Sequence, residues 1–159
     1  MIVETAEEMR EIAERLGREV RPGDVIMLSG PLGAGKTTFV QGLARGMNVK
    51  GRVTSPTFVV SHVHSGPVDL VHVDAYRLED VDEVDALDLE TSMAESVTVI
   101  EWGRGKTDHL AGDRLDITIS RPVGSPEGAD PEDLYADAAR TLSVEATGPR
   151  SSRLAGLFS

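Results

Sequence analysis

Apolar residues recur along this chain in helical spacing, in unbroken runs and in alternation, and each pattern predicts a different element. Met9, Ile12, Ala13 and Leu16 fall three and four apart, the stripe of a helix with one buried face, over residues 5–18. Thr5 followed by Glu8 makes a capping box at its start. Pro22-Gly23 turns the chain, and Val25-Ile26-Met27-Leu28 is an unbroken apolar run, as expected of a buried strand. Helical spacing returns at Phe39, Val40, Leu43, Ala44 and Met47, with a stop near Gly46. Residues 58–64 and 68–73 are β-rich runs broken by Ser65-Gly66-Pro67, and predict an antiparallel hairpin. Val97-Thr98-Val99-Ile100, the alternating run 115–119 and the run 141–146 predict further strands. Residues 79–90 carry Val81, Val84 and Leu87 on one side and acids elsewhere, a short amphipathic helix with a solvated face.

Strands and helices thus alternate, and the expected fold is α/β: one domain of 159 residues with a mixed parallel and antiparallel sheet flanked by helices. The strands at 25–28 and 97–100 are expected at its centre and parallel. Residues 121–131, rich in Pro, Gly and Ser, read as a mobile loop, and 147–159 as a C-terminal tail with a short helix over 152–158.

The stretch between the first strand and the second helix carries the strongest chemical signal. Gly30-Pro31-Leu32-Gly33-Ala34-Gly35-Lys36-Thr37-Thr38 fits the P-loop pattern at every specified position, with the strand before it and the helix after it that the pattern requires. Glycines at 30, 33 and 35 let the backbone curl and approach phosphate oxygens without a Cβ in the way. Successive N–H groups and the positive helix end then form an anion nest. Lys36 reaches the β- and γ-phosphates, and the Thr37 hydroxyl suits Mg²⁺. The hydroxyl-rich Val53-Thr54-Ser55-Pro56-Thr57 follows the P-loop helix, where NTPases often sense the γ-phosphate; a plain connector explains its spacing equally well.

Two acids stand at strand ends. Asp74 closes an apolar strand, the arrangement in which a carboxylate holds Mg²⁺ or its waters, and Glu101 closes the run 97–100. Both are candidates for metal binding and water activation, against the plainer role of a structural strand-end carboxylate. Three histidines lie in the hairpin. With a tight turn His62 and His64 share one face and His72 the other, which disfavours a three-histidine metal site.

Charge narrows the partners. Acids outnumber bases 27 to 16, for a net charge of −11, with no basic cluster, so a role involving nucleic acid would run through another protein. Solubility alone also accounts for the acidity. With no cysteine there are no disulfides or thiolate sites, and with no long apolar run or signal peptide the expected compartment is the cytoplasm.

Taken together, the motifs Leu32-Gly33-Ala34-Gly35-Lys36-Thr37-Thr38-Phe39, Val53-Thr54-Ser55-Pro56-Thr57-Phe58, His72-Val73-Asp74-Ala75-Tyr76-Arg77-Leu78 and Ile100-Glu101-Trp102 resemble the bacterial TsaE (YjeE) family. Its members are the ATPases of tRNA threonylcarbamoyladenosine biosynthesis. The resemblance covers most of the chain. It implies that ATP and Mg²⁺ are the cofactors, that Gly33, Ala34, Gly35, Lys36, Thr37 and Thr38 hold phosphate, and that Thr37 and Glu101 belong to the metal site. It further implies that Asp74, Glu101 and Lys36 serve hydrolysis and that Trp102 lies near the nucleotide, with Thr5 and Arg104 as additional nucleotide contacts. The implied partner is a TsaB–TsaD-like complex that modifies the adenosine next to the anticodon of tRNAs reading codons that begin with A. Pro31, Ala75 and Gly103 stand where the family usually has Asp, Leu and Pro. Two other functions compete with this reading: a small-molecule P-loop kinase, and a non-catalytic ATP-dependent adaptor. A GTPase is disfavoured, since no Asn-Lys-x-Asp guanine-reading motif occurs.

Overall fold

A computed structural model describes residues 1–31, 35–49, 61–74, 93–101, 112–120 and 139–158. In chain order these form β1 (Ile2–Val3), α1 (Ala6–Glu19), β2 (Val25–Ser29), α2 (Lys36–Gly46), β3 (Ser61–His64), β4 (Leu70–Asp74), β5 (Val97–Glu101), β6 (Arg114–Ser120), β7 (Arg140–Thr147) and α3 (Pro149–Ala155), which runs into a 3₁₀ turn, Gly156–Phe158. The expected segments 53–57, 79–90 and 121–131 lie outside the described residues, as do Gly33, Ala34, Trp102 and Arg104.

All seven strands join one sheet in the order β1-β7-β6-β2-β5-β4-β3. The unbroken apolar runs became its centre: β2 lies parallel to β5 on one side and to β6 on the other. Val25, Ile26, Met27 and Leu28 are all buried, as are all residues of β5, because both faces of the sheet are covered there. The alternating run became β6, where Leu115, Ile117 and Ile119 are buried and the residues between them partly exposed. Hydrophobic pattern thus sorted strands buried on both faces from one whose second face is partly open, β6 being no further from the centre than β5.

One face of the sheet, carrying Ile26, Leu28, Val97, Val99, Leu115 and Ile117, packs against the buried stripes of α1 and α2. Those stripes contain the predicted residues: Met9, Ile12, Ala13 and Leu16 on α1, and Phe39, Val40, Leu43 and Ala44 on α2. The two helices touch through glycine. A Cβ on Gly42 would stand 2.3 Å from the Arg10 carbonyl oxygen, and one on Gly46 would stand 2.2 Å from that of Glu14. From the other side, a Cβ on Gly17 would meet the Leu43 carbonyl at 2.4 Å. Only backbone-to-backbone approach leaves so little room, and no larger residue fits without parting the helices. Ion pairs from Arg45 to Glu7 and Glu14, at 3.2 and 3.6 Å, flank the contact at the surface.

The hairpin differs from expectation in two ways. Only β3 runs antiparallel to its neighbour, while β4 lies parallel to β5 and so belongs to the central set. His62 pairs directly with His72, which places His62, His64 and His72 on one face rather than His72 opposite the others. The cause is the connection from Ser65 to Asp69: an odd number of residues keeps even positions opposite even positions. Sharing a face does not make them a metal site, for no group of three metal-ligating side chains converges among the described residues.

The ends of the chain are docked. β1, not foreseen, pairs antiparallel with β7. The C-terminal helix begins at Pro149, three residues before the expected start, because Asp113 caps it: its carboxylate accepts from the Arg150 and Ser151 backbone N–H groups at 2.9 and 2.8 Å. Burial pushes the Asp113 carboxyl up, but the hydrogen bonds from Ser151 and Arg150 outweigh it and hold it below the usual carboxylate range. Arg150 then reaches Asp24, a buried acid at the entry to β2, with Nη2 at 3.2 Å and Nε at 3.3 Å from the two carboxylate oxygens.

Candidate functional site

The site lies at the carboxyl ends of β2, β5 and β4, the rim where parallel sheets present loops to a ligand. Register fixes the row: Leu28 pairs with Glu101, and Glu101 with Asp74. Adjacent strands are about 4.8 Å apart, so the backbone positions of the two acids are neighbours and the P-loop leaves β2 beside them. The two strand-end acids singled out by sequence are therefore brought together.

Beyond β2 the chain passes Gly30 and Pro31 and enters α2 through Gly35, its N-cap. Gly35 has φ +110°, the left-handed region that costs a side-chain-bearing residue strain, which is why the motif needs glycine there. The two helix starts are built differently. The Thr5 hydroxyl caps α1 by accepting from the Glu8 N–H at 3.1 Å, and Glu7 and Glu8 complement its dipole. The Glu8 carboxylate reaches past the expected box partner and accepts from the Glu4 N–H at 2.7 Å. In contrast α2 has no side-chain cap and no acid in its first turn. Its amino end is suited to an external anion.

Lys36 is the first residue of α2 and folds back so that Nζ donates to the Gly30 carbonyl, spanning the loop from end to end. Thr37 and Thr38 follow it in the first turn, half-buried like Lys36. Thr5 sits one turn before Met9, whose terminal methyl lies 3.5 Å from where a Cβ on Gly35 would stand. The amino-terminal half of α1 thus lies against the entry to α2, and Thr5 is on that side of the molecule.

Glu101 is tightly held. It is 4% exposed, and its Oε2 lies 2.7 Å from Nε2 of His72, which is fully buried. Sequence reading did not foresee this pair. The only local signal was that His72 stands two residues before Asp74, on the same face of its strand by alternation. That the face turns toward Glu101 follows from β4 lying beside β5, which no local pattern states. As to metal, Thr37 and Glu101 offer hydroxyl and carboxylate oxygens, the hard donors that Mg²⁺ takes, so the residues fit that ion.

A central strand, a glycine loop closing on a helix, and acids ending the neighbouring parallel strands define the P-loop NTPase fold. Within that class, the family model described as "Threonylcarbamoyl adenosine biosynthesis protein TsaE" matches residues 3–125, and the chain belongs to this family. It is 49% identical over 146 residues to the tRNA threonylcarbamoyladenosine biosynthesis protein TsaE of Streptomyces coelicolor, covering 89% of this chain and 93% of that protein. To the protein of the same name from Bacillus subtilis it is 40% identical over 116 residues, covering 72% and 73%. The crystal structure of YdiB from Bacillus subtilis superposes with a TM-score of 0.73 at 29% identity, over 98% of this chain and 90% of that one. No helix among the described residues is long and apolar enough to cross a membrane.

Proposed function

We propose that this chain is a Mg²⁺-dependent, ATP-binding and ATP-hydrolysing protein of the cytoplasm, required for threonylcarbamoyl modification of the adenosine next to the anticodon in tRNAs reading codons that begin with A. It does so by acting on a TsaB–TsaD-like complex. The observation that carries the ATP reading is the uncapped, acid-free amino end of α2 entered through left-handed Gly35, with Lys36 across the loop and Glu101 on the adjacent strand end. Membership of the TsaE family carries the rest.

In this reading the backbone N–H groups from Gly33 to Thr38 and the Lys36 ammonium bind the β- and γ-phosphates and withdraw charge from the bond that breaks. Thr37 and Glu101 would hold Mg²⁺, which when bound neutralises the phosphate oxygens. Asp74, in register with Glu101, orients the attacking water and accepts its proton. Trp102, Arg104 and Thr5 complete the nucleotide contacts. tRNA is met only through the partner complex, since a chain of net charge −11 repels phosphate backbones.

Lys36→Ala is expected to weaken ATP binding at least about tenfold by calorimetry, the loss of one charge-assisted contact, about 1.5–3 kcal/mol. Affinity for the partner complex should differ between ATP, a non-hydrolysable analogue and ADP. Equal affinity in all three refutes a nucleotide-driven cycle, and ATP binding by Lys36→Ala at wild-type strength refutes the site.

A further inference from the structure

We infer that His72 is a positioning residue for Glu101: it holds one carboxylate oxygen so that the other alone faces the metal. The inference rests on the Mg²⁺-ATP reading above and concerns how this chain prepares its metal-site acid. Glu101 is almost wholly withdrawn from water, and among the described residues its side chain has one hydrogen-bond partner, His72, at 2.7 Å. As a ligand to Mg²⁺ Glu101 is an ionised carboxylate, which accepts and cannot donate, so on this reading His72 is the donor through Nε2–H.

The geometry excludes the plainer explanations of His72. It is fully buried, so it is no surface residue, and among the described residues its Nδ1 has no hydrogen-bond partner to which the ring would bridge Glu101. Among the described residues its one hydrogen bond is to the acid. That contact runs diagonally, because His72 pairs with Val99 while Glu101 lies two residues further along β5. The ring therefore holds the carboxylate from the interior of the sheet, on the side away from the strand end.

A consequence for ion choice follows. With Oε2 engaged, Glu101 offers a cation one oxygen rather than two. Single-oxygen ligation suits the tight octahedral shell of Mg²⁺, whereas Ca²⁺ readily takes both oxygens of a carboxylate. His72 should thus raise affinity for Mg²⁺ and favour it over Ca²⁺.

The test compares His72→Phe, which keeps the ring and removes the donor, with His72→Gln, whose amide N–H can stand near the place of Nε2–H. Fluorescent ATP binding is titrated with Mg²⁺, with Ca²⁺ and in EDTA, and Mn²⁺ binding to the ATP-loaded protein is followed by electron paramagnetic resonance. In His72→Phe the Mg²⁺ midpoint should rise about 10–100-fold, the usual effect of losing a partner to a metal ligand, with ATP affinity in EDTA unchanged. The preference for Mg²⁺ over Ca²⁺ should shrink, the Mn²⁺ spectrum should change, and His72→Gln should recover most of the loss. In a Glu101→Gln background His72→Phe should have no further effect on the midpoint. If His72→Phe does not fold, His72→Asn replaces it, its shorter amide drawing the donor back from the carboxylate. A wild-type Mg²⁺ midpoint in the folded variant whose donor is removed or withdrawn, when Glu101→Gln shifts it, overturns the inference and leaves the ATPase reading standing. Wild-type protein that binds ATP equally with and without Mg²⁺ overturns the reading itself, and this inference with it.

Discussion

Adding one methyl group at Gly42 should loosen the molecule by opening the seam between α1 and α2. An alanine Cβ there would stand 2.3 Å from the Arg10 carbonyl oxygen, 2.7 Å from the Arg10 Cα and 2.9 Å from the Ala13 Cβ. Carbon and oxygen settle no closer than about 3.3 Å, so the helices must part by roughly 1 Å. No rotamer relieves this, because the obstructing atoms are backbone or a Cβ. Overpacking of this kind costs about 1–3 kcal/mol, while Gly→Ala within a helix returns about 1 kcal/mol. Rigid obstruction places the net in the upper part of that range, a loss of about 1–2 kcal/mol. For a chain of this size the melting temperature should fall by about 2–8 °C. Gly156→Ala is the control: nothing lies within 4 Å of its would-be Cβ, and its φ of −59° suits any residue. Thermal and urea unfolding measure both. Gly42→Ala melting at or above the wild-type temperature, with the control unmoved, would refute the backbone contact.

Arg150→Met should destabilise by about 2 kcal/mol, because among the described residues buried Asp24 then keeps only the Arg21 N–H, at 2.7 Å; a double-mutant cycle with Asp24→Asn should show coupling above about 1 kcal/mol. His64 predicts a pH dependence. Burial, then the neighbouring His72 and His62, pull its pKa below the ordinary 6.5, so the unfolded chain binds more protons than the native one below that pH. Stability should be fully present above about pH 6.5 and decline as pH falls through 6, and His64→Gln should flatten that slope in urea unfolding between pH 5.5 and 7.5.

What sequence could say depended on how local each signal was. The P-loop, β2 and α2 were legible because a strand, its glycine loop and its helix are contiguous, and their motif and periodicity agree. All five apolar positions assigned to the buried stripe of α2 and its end are buried. Gly42 and Gly46 were another matter. As residues they weaken a helix, and Gly46 reads as its stop, which is where α2 does end. That both are also needed for contact depends on α1 crossing at that point, a long-range fact without a local pattern. The His72–Glu101 pair was hidden for the same reason. Alternation places each residue on a face of its own strand, but the adjacency of β4 and β5 is set by the whole sheet order. The error over His72 and His62 was one of parity: a single residue more or less in a turn reverses the answer.

Strand β2 meets two unlike demands at its two ends, and the structure separates them. At the amino end Asp24 is gripped by Arg150, which ties the last helix to the first central strand. At the carboxyl end the chain is released into the glycine loop, beside Glu101 and Asp74. Between the ends, four consecutive buried residues lock the strand between β5 and β6. On the ATP reading proposed above, such a site needs its supporting strand fixed, while the loop keeps its N–H groups for the ligand. Placing the ion pair at the far end of the strand meets both needs, because charge that stabilises the fold there does not compete with charge that binds at the rim. Helix α1 links the two ends: its last carbonyl, that of Glu19, accepts from Arg150. It is joined to α2 backbone to backbone, and its Met9 lies against Gly35. A shift of α1 therefore moves the amino end of α2, and with it Lys36 and Thr37. Gly42→Ala should on this account weaken nucleotide binding as well as stability, whereas Arg150→Met, which frees the Glu19 carbonyl at the end of α1 remote from Met9, should act mainly on stability.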